Sequence, residues 1–296
     1  MNDISAVHKR WWDTGEEAAA GTLYMVAVPI GNLGDFSARA LTILSKVDLV
    51  ACEEVQAAKR LFNSQNITSH FVSYRESGRD SAGERIVQEL LNGKSAAYIS
   101  GAGTPAVSDP GRDLAARCHQ NGVRVVPVPG PSALAAALSC AGLPCRRFAF
   151  EGFLPRQSGE RRRYLEQLAR EERTMVFYEA PHRLLETVTE MLAVWGDRQV
   201  FLGRELTKKF EQCWLTDLQA LTAHVQRTEV RGECVLIVTG AEQKEAEEES
   251  AVERYKADLE FLEGLGLGAK ASAEILSRFR NLPRNSAKRL ALSFFQ

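Results

Sequence analysis

Three Gly/Pro-rich loops, each following an apolar run, carry the residue types that bring a backbone close to a ligand. They are Val28-Pro29-Ile30-Gly31-Asn32-Leu33-Gly34-Asp35, then Ser100-Gly101-Ala102-Gly103-Thr104-Pro105 running on to Ser108-Asp109-Pro110-Gly111, and Val128-Pro129-Gly130-Pro131-Ser132-Ala133. Glycine allows close approach and proline fixes the turn. Ligands of open α/β sheets bind outside the carboxyl ends of the strands. Three such loops in one chain imply one cleft for one small ligand.

Two polar clusters also follow apolar runs: Tyr178-Glu179-Ala180-Pro181-His182-Arg183 and Arg204-Glu205-Leu206-Thr207-Lys208. Charged side chains at strand ends are well placed for a site, and equally for structural pairing. Between Arg146 and Arg173 lie eight arginines, with Phe148, Phe150, Phe153 and Tyr164 among them. Arginine neutralises phosphate and exposed aromatics stack on bases, which suits RNA. The other reading of that stretch is a helix with one solvated charged face.

Other chemistries lack their patterns. No G-x-G-x-x-G follows the first strand, and neither a phosphate-binding G-x-x-x-x-G-K-[ST] nor a G-x-S-x-G elbow occurs. The five histidines and six cysteines show no metal-site spacing, so no metal is expected. The scattered cysteines fit a reduced, cytoplasmic protein. Residues 1–20 lack the apolar stretch of a secretory signal, and no run approaches the ~20 apolar residues of a membrane span. A net charge of −1 excludes nothing, so local distribution carries the argument.

These residues need elements to hold them. From residue 21 to 129 strands and helices alternate, with strands at Leu23–Ala27, Leu49–Cys52, Phe71–Tyr74, Ala96–Ile99 and Val123–Pro127. Helices over 37–46, 56–63, 81–91 and 111–121 separate them, the first capped by Asp35. This is the pattern of a mainly parallel sheet covered by helices. A small-residue helix, Ser132–Ala141, starts at a Ser cap. Beyond it strands at 148–153, 174–178, 199–204, 212–214 and 233–239 mix with helices at 160–172, 182–192 and 216–227, giving a second sheet with more antiparallel character. The division is a flexible tail (1–20), an α/β domain (21–129), a second α/β domain (130–241), an acidic linker or helix (242–263) and a helical module (264–296). In that module helices 269–279 and 286–295 flank a basic turn, a hairpin that either touches nucleic acid or caps the fold. The Trp11-Trp12 pair in the tail could dock on a partner or on the protein's own surface.

Taken together, the motifs resemble the ribosomal RNA small subunit methyltransferase I family of the tetrapyrrole methylase superfamily. The resemblance runs from Gly21 to Gly240. It rests on the three loops, on Glu151-Gly152-Phe153-Leu154-Pro155, Phe177-Tyr178-Glu179, Pro181-His182-Arg183-Leu184 and Arg204-Glu205-Leu206-Thr207-Lys208, and on Gly232-Glu233. It implies S-adenosylmethionine as methyl donor and 2′-O-methylation of a cytidine ribose in the decoding centre of 16S rRNA. It also implies two α/β domains with the donor in the cleft between them, and a homodimer acting on 16S rRNA or the 30S subunit, away from membranes. On that reading Pro29, Gly31, Gly101, Gly103, Thr104, Pro105, Ser132 and Ala133 would hold the donor. Glu54, Tyr178, Glu179, Arg204, Glu205 and Lys208 are candidates for the ribose side, with the general base unassigned among them. Arg156, Arg161, Arg162, Arg163, His182 and Arg183 would face RNA.

The chain departs from the family pattern in its first domain. The family has Thr at Val28, Glu-Asp-Thr-Arg at Glu53-Glu54-Val55-Gln56, His-Asn at Ser77-Gly78, and Asp at Gly101. Asp to Gly at 101 removes a carboxylate whose charge-assisted bond is worth about 1.5–3 kcal/mol. Gln56 replaces a cation useful for phosphate. A second expectation therefore stands beside the first: an RNA-binding relative whose catalysis is weakened or lost. A third, methylation of a small tetrapyrrole, fits the arginine-rich stretch less well.

Overall fold

The computed structural model describes residues 18–241, 255–280 and 282–295. Trp11-Trp12 and the glutamates from Glu242 to Glu253 lie outside the described residues. The chain divides into two compact units. One holds residues up to Leu168 and Thr174–Thr239, and the other Ala169–Arg173 and Gly240–Gln296.

The first unit contains two sheets. β1 (Thr22–Val26), β2 (Leu49–Cys52), β3 (Phe71–Ser73), β4 (Ala96–Ile99) and β5 (Arg124–Val128) pair in the order β3-β2-β4-β1-β5, every pair parallel. Parallel sheets need cover on both faces, and the strand residues divide by alternation. Tyr24, Val26, Val50 and Ala97 pack in one core, while Leu23, Leu49, Ala51, Ala96 and Tyr98 pack in the other. The intervening helices are α1 (Ala38–Leu44), α2 (Val55–Asn63), α3 (Arg79–Leu91) and α4 (Gly111–Gln120). The cap of α1 is Ser37, whose hydroxyl accepts from the Ala40 N–H, and not Asp35. Asp35 instead ends a short 3-10 turn that Asn32 caps, so the helix starts later than its acidic residue suggests.

α5 (Ala133–Cys140) leads into the second sheet: β6 (Phe148–Phe153), β7 (Thr174–Glu179), β8 (Gln199–Arg204), β9 (Gln212–Asp217) and β10 (Cys234–Val238). Their order is β6-β7-β10-β8-β9, parallel for β6 and β7 and antiparallel elsewhere. α6 (Ser158–Leu168), α7 (Leu184–Trp195) and α8 (Leu218–Arg227) connect the strands. β9 runs on to Asp217 because it pairs with β8 along its whole length. Ser132 caps α5 by accepting from the Ala135 N–H, and one face of α5 packs Ala137 with Val176, Phe201 and Ile237 of the sheet.

The second unit contains helical residues 255–264, α9 (Ala269–Phe279) and α10 (Arg284–Phe294). Leu259, Leu276, Leu290 and the alanines at 273, 287 and 291 form its core. Arg280 holds Asp258 through two bonds of 2.6 and 2.8 Å.

Candidate active site

The three loops are tied to one another by short bonds. Val28 and Gly103 exchange two backbone hydrogen bonds of 3.0 Å, joining the first loop to the second. The Thr104 hydroxyl donates to the Pro131 carbonyl at 2.9 Å, joining the second to the third. The Ser100 hydroxyl donates to the Ala102 and Gly103 carbonyls and braces the middle turn. Gly103 sits at φ +77°, where a side chain would be strained. Ala106 and Ser108 in the same loop also hold φ of +68°, although neither is glycine. Strained backbone of this kind is retained where surrounding structure enforces it, commonly at ligand sites.

Together these loops open a cleft of about 430 Å³. It is lined by Ile30, by Ser100 to Thr104, by Ser132 and Ala133, and from the second sheet by Phe153, Tyr178 and Glu233. Of the expected donor-side residues, the cleft gathers Gly101, Gly103, Thr104, Ser132 and Ala133. Pro29 and Glu54 line an adjoining cavity of about 340 Å³ that shares Glu53 and Gly101 with it. Pro105 is buried and does not line the cleft. Gly31 packs against Lys208, because a Cβ there would overlap the lysine stem.

Three acids outside the expected site residues line the cleft: Glu53, Asp109 and Glu233. Asp109 accepts from the Tyr98 hydroxyl (3.1 Å) and the Gly111 N–H (2.7 Å) through Oδ1. Its Oδ2 is buried with no hydrogen-bond partner among the described residues. Burial raises the Glu53 carboxyl above its ordinary pKa, and Asp109, Glu54 and Glu76 add repulsion in the same direction. Asp109 was visible in Ser108-Asp109-Pro110-Gly111 as a turn residue only. Glu53 was visible only as the neighbour of Glu54, and the fold alone brings it beside Asp109.

The ribose-side candidates divide by what they hold. Tyr178 lines the cleft and its hydroxyl accepts from the Leu134 N–H at 3.1 Å, fixing the first turn of α5. Burial pushes the phenol up, so it stays neutral near physiological pH. Its ring meets Phe150 and Phe153 edge-on. Glu179 reaches the cleft wall, yet its side chain is buried and occupied. Oε2 accepts from the Thr187 hydroxyl at 2.6 Å, Oε1 accepts from the Ala180 N–H at 2.8 Å, and Arg183 lies 3.5 Å away. Arg204 donates to Gln212 Oε1 and to the Arg231 and Phe210 carbonyls, which fastens the strand ends around the site. Lys208 Nζ donates to Glu205 and Glu233, both at 2.8 Å. Glu54 stands exposed at the start of α2, where Arg75 binds its carboxylate and the Glu53 carbonyl.

The residues expected to face RNA separate in the same way. Arg156, Arg162, Arg163 and His182 are exposed. Arg161 is corrected to a structural role, since its side chain is 1% exposed and its guanidinium holds Glu190 and Glu186. Arg183 is half-buried and donates to the Leu154 and Pro155 carbonyls, so it shapes the loop after β6. Helical neighbours of an exposed arginine can face inward, which composition alone does not register.

Comparison with known proteins agrees with this arrangement. The family Tetrapyrrole (Corrin/Porphyrin) Methylases matches residues 22–222, more than half the chain. A protein of Pseudomonas aeruginosa named ribosomal RNA small subunit methyltransferase I is 45% identical over 269 residues, covering 89% of this chain and 95% of its own. The protein of the same name from Synechocystis sp. is 39% identical over 273 residues, covering 92% and 98%. Among solved structures, diphthine synthase superposes with a TM-score of 0.59 at 14% identity, over 74% of this chain and 90% of that one. Uroporphyrin-III C-methyl transferase from Thermus thermophilus, complexed with S-adenyl homocysteine, superposes with a TM-score of 0.53 at 18% identity, over 74% and 97%. These two likenesses are likenesses of fold. With identity sustained across nine-tenths of its length, the chain belongs to the ribosomal RNA small subunit methyltransferase I family, within the tetrapyrrole methylases.

Proposed function

We propose that this protein transfers a methyl group from S-adenosylmethionine to small-subunit ribosomal RNA, at the 2′-oxygen of a cytidine ribose in the decoding centre of 16S rRNA. The observation that carries the reading is the cleft formed by three interlocked glycine-rich loops, in a chain that shares about nine-tenths of its length with rRNA methyltransferase relatives. The resemblance to that family supports a cytoplasmic homodimer acting on 16S rRNA or the 30S subunit. It also supports reading 21–129 and 130–241 as separate domains, each built on its own sheet.

The residues present fit the donor. A cleft of about 430 Å³ lies in the usual range for small-molecule sites, about 300–1,000 Å³. Space beyond Gly101 is open to at least 4 Å, and the unpartnered Asp109 Oδ2 suits a hydroxyl or ammonium donor on a ligand. Gly101, Gly103, Thr104, Ser132 and Ala133 hold the donor in this reading, and Pro29, Gly31 and Pro105 set the loops that do so. S-adenosylmethionine, when bound, supplies an electrophilic methyl group.

The rest is the work of this chain. Positioning is the main contribution to methyl transfer, because the oxygen must approach in line. Tyr178 fixes α5, while Arg204 and Glu179 fix the strand ends. The Glu205–Lys208–Glu233 network holds the first loop through Gly31. Glu53 is the cleft carboxylate best suited to accept the ribose proton, since its raised pKa brings it toward neutrality. Arg156, Arg162, Arg163 and His182 meet the RNA from the exposed side.

One alternative has a specific observation behind it. Gly101 leaves open space where the family carries an acid, which favours a relative that binds RNA but catalyses weakly. Calorimetric titration with S-adenosylmethionine, followed by transfer of labelled methyl to 30S subunits lacking the modification, separates the two. Binding with transfer supports the enzyme. Transfer that stays at background while the donor binds supports the alternative.

A further inference from the structure

The second unit carries a charged groove that the donor cleft does not explain. It has a volume of about 530 Å³ and runs along the hairpin of α9 and α10. Spacing of i, i+4 and i+8 sets Lys270, Glu274 and Arg278 in one stripe of α9, and Arg284, Lys288 and Leu292 in one stripe of α10. All six line the groove, four cations against one carboxylate. Glu274 lies 3.8 Å from Arg278. Lys270, Arg284 and Lys288 are exposed and make no ion pair among the described residues.

Three features say what the groove takes. First, three of its four cations make no ion pair among the described residues and only Arg278 meets a carboxylate, whereas part of the arginine-rich stretch at 146–173 is spent within the fold. There Arg161 is consumed by Glu186 and Glu190 and Arg173 by Glu171, while Arg162 shares only an exposed pair with Glu166. Second, Lys270 and Arg284 stand in the first turns of their helices, and neither first turn holds an acid. The positive end of a helix dipole disfavours a cation there and favours an anion. A phosphate bound at each of the two helix starts relieves that repulsion. Third, Lys270 and Arg278 stand eight residues apart on α9, so the row of charge is about 12 Å long at 1.5 Å per residue. That length suits several phosphates in a chain and exceeds what a lone anion needs.

We propose that this groove grips the phosphodiester backbone of RNA. It does so without reading bases: no aromatic ring lines it, and the one hydroxyl, Ser277, is committed to the Leu282 carbonyl at 2.9 Å. The contact is therefore sequence-independent, and the choice of nucleotide belongs to the first unit. The inference deepens the rRNA reading and rests on it for the identity of the natural polyanion.

The test uses the full chain and two single-stranded homopolymers, polyuridine and polycytidine, with affinity measured across a potassium chloride series. The comparison is between the wild type and the triple variant Lys270→Ala/Arg284→Ala/Lys288→Ala, with the single reversal Lys288→Glu as a second variant and circular dichroism as the check on folding. Three lost phosphate contacts on a single strand predict that the slope of log K against log salt shrinks by about two. The fall in affinity is equal for both polymers. A folded triple variant with unchanged slope and affinity overturns the proposal, and so does a wild type that binds neither polymer. Loss on one polymer alone overturns the sequence-independent contact. Methyl transfer to 30S subunits is scored separately: its failure while the homopolymers still bind counts against the proposed enzyme and leaves the groove standing. An acidic protein partner, the other occupant such charge could attract, is the outcome left by a folded variant that keeps full RNA affinity.

Discussion

The stem of Lys208 lies over Gly31, so that the first glycine loop and the loop after β8 are closed against each other by one side chain. A Cβ at Gly31 would overlap Lys208 Cγ, and it would stand 2.9 Å from Cε. The ammonium beyond it is held by Glu205 and Glu233 at 2.8 Å each. Two non-glycine residues of the same loop, Glu205 and Thr207, hold φ of +51° and +68° to make this geometry. Gly31→Ala must displace Lys208 near its root, where the chain cannot simply swing aside. The expected cost is about 1–3 kcal/mol of stability with a matching loss of donor affinity, about tenfold or more. Thermal unfolding and donor titration measure the two effects. A variant as stable and as tight as the wild type would show that the contact is slack.

The same network predicts a pH dependence. The bond from Lys208 holds the Glu205 carboxyl below its ordinary value of 4.5, against the opposing effect of burial. A depressed carboxylate stabilises the fold above its unfolded pKa. That contribution is lost as pH falls through the lower folded value. Lys208→Met removes the cause and leaves Glu205 facing Glu233. Acid unfolding of the variant should then begin at a higher pH than in the wild type, with little separation of the curves near neutrality from this group's titration. Equal acid midpoints would contradict the assignment.

Gly101→Asp tests the vacant position in the middle loop. Its backbone is not in the left-handed region and nothing lies within 4 Å of the added Cβ, so the fold should accept the change. A carboxylate that meets a donor group on the ligand strengthens binding by about 1.5–3 kcal/mol, more than tenfold. The new charge also shares the adjoining cavity with Glu53, whose pKa is already raised, and should raise it further. Titration calorimetry reads the affinity, and the pH–rate profile reads Glu53. No change in either would mean that Glu53 and Asp109 already supply what the site requires.

Arginines of one helix should behave in opposite ways. Arg161→Ala leaves the partly buried Glu190 without its cation and should cost about 1–3 kcal/mol of stability. Arg162→Ala breaks an exposed pair with Glu166 and should cost less than about 1 kcal/mol, while lowering RNA affinity. Chemical denaturation and RNA titration on both variants check this. Similar stability losses would contradict the inward placement of Arg161.

Much of the frame was legible because the signals were local. β2, β4, β6 and β8 occupy the expected residues, since each is a short apolar run closed by turn residues on both sides. Ser132 was legible as a cap for the same reason. The α1 cap was not, because Asp35 and Ser37 are both capping residues and only the 3-10 turn decides between them. β9 was read three residues short, because pairing with β8, which its own composition does not reveal, carries it to Asp217. In the site, glycine and proline announced the loops, whereas Glu53 and Asp109 depend on two strand ends meeting in space. Inward and outward arginines of α6 were indistinguishable by type, and the carboxylates that consume Arg161 come from α7, more than twenty residues away.

The proposed role of the three-loop cleft is methyl transfer to 16S rRNA. Its most direct test maps 2′-O-methyl groups on 16S rRNA from a host lacking the gene, before and after incubation of its 30S subunits with the purified protein and S-adenosylmethionine. One decoding-centre cytidine, unmodified in the deletion strain, should gain a 2′-O-methyl group on incubation. A methylation map identical with and without the protein, from a preparation shown to bind the donor, would contradict it.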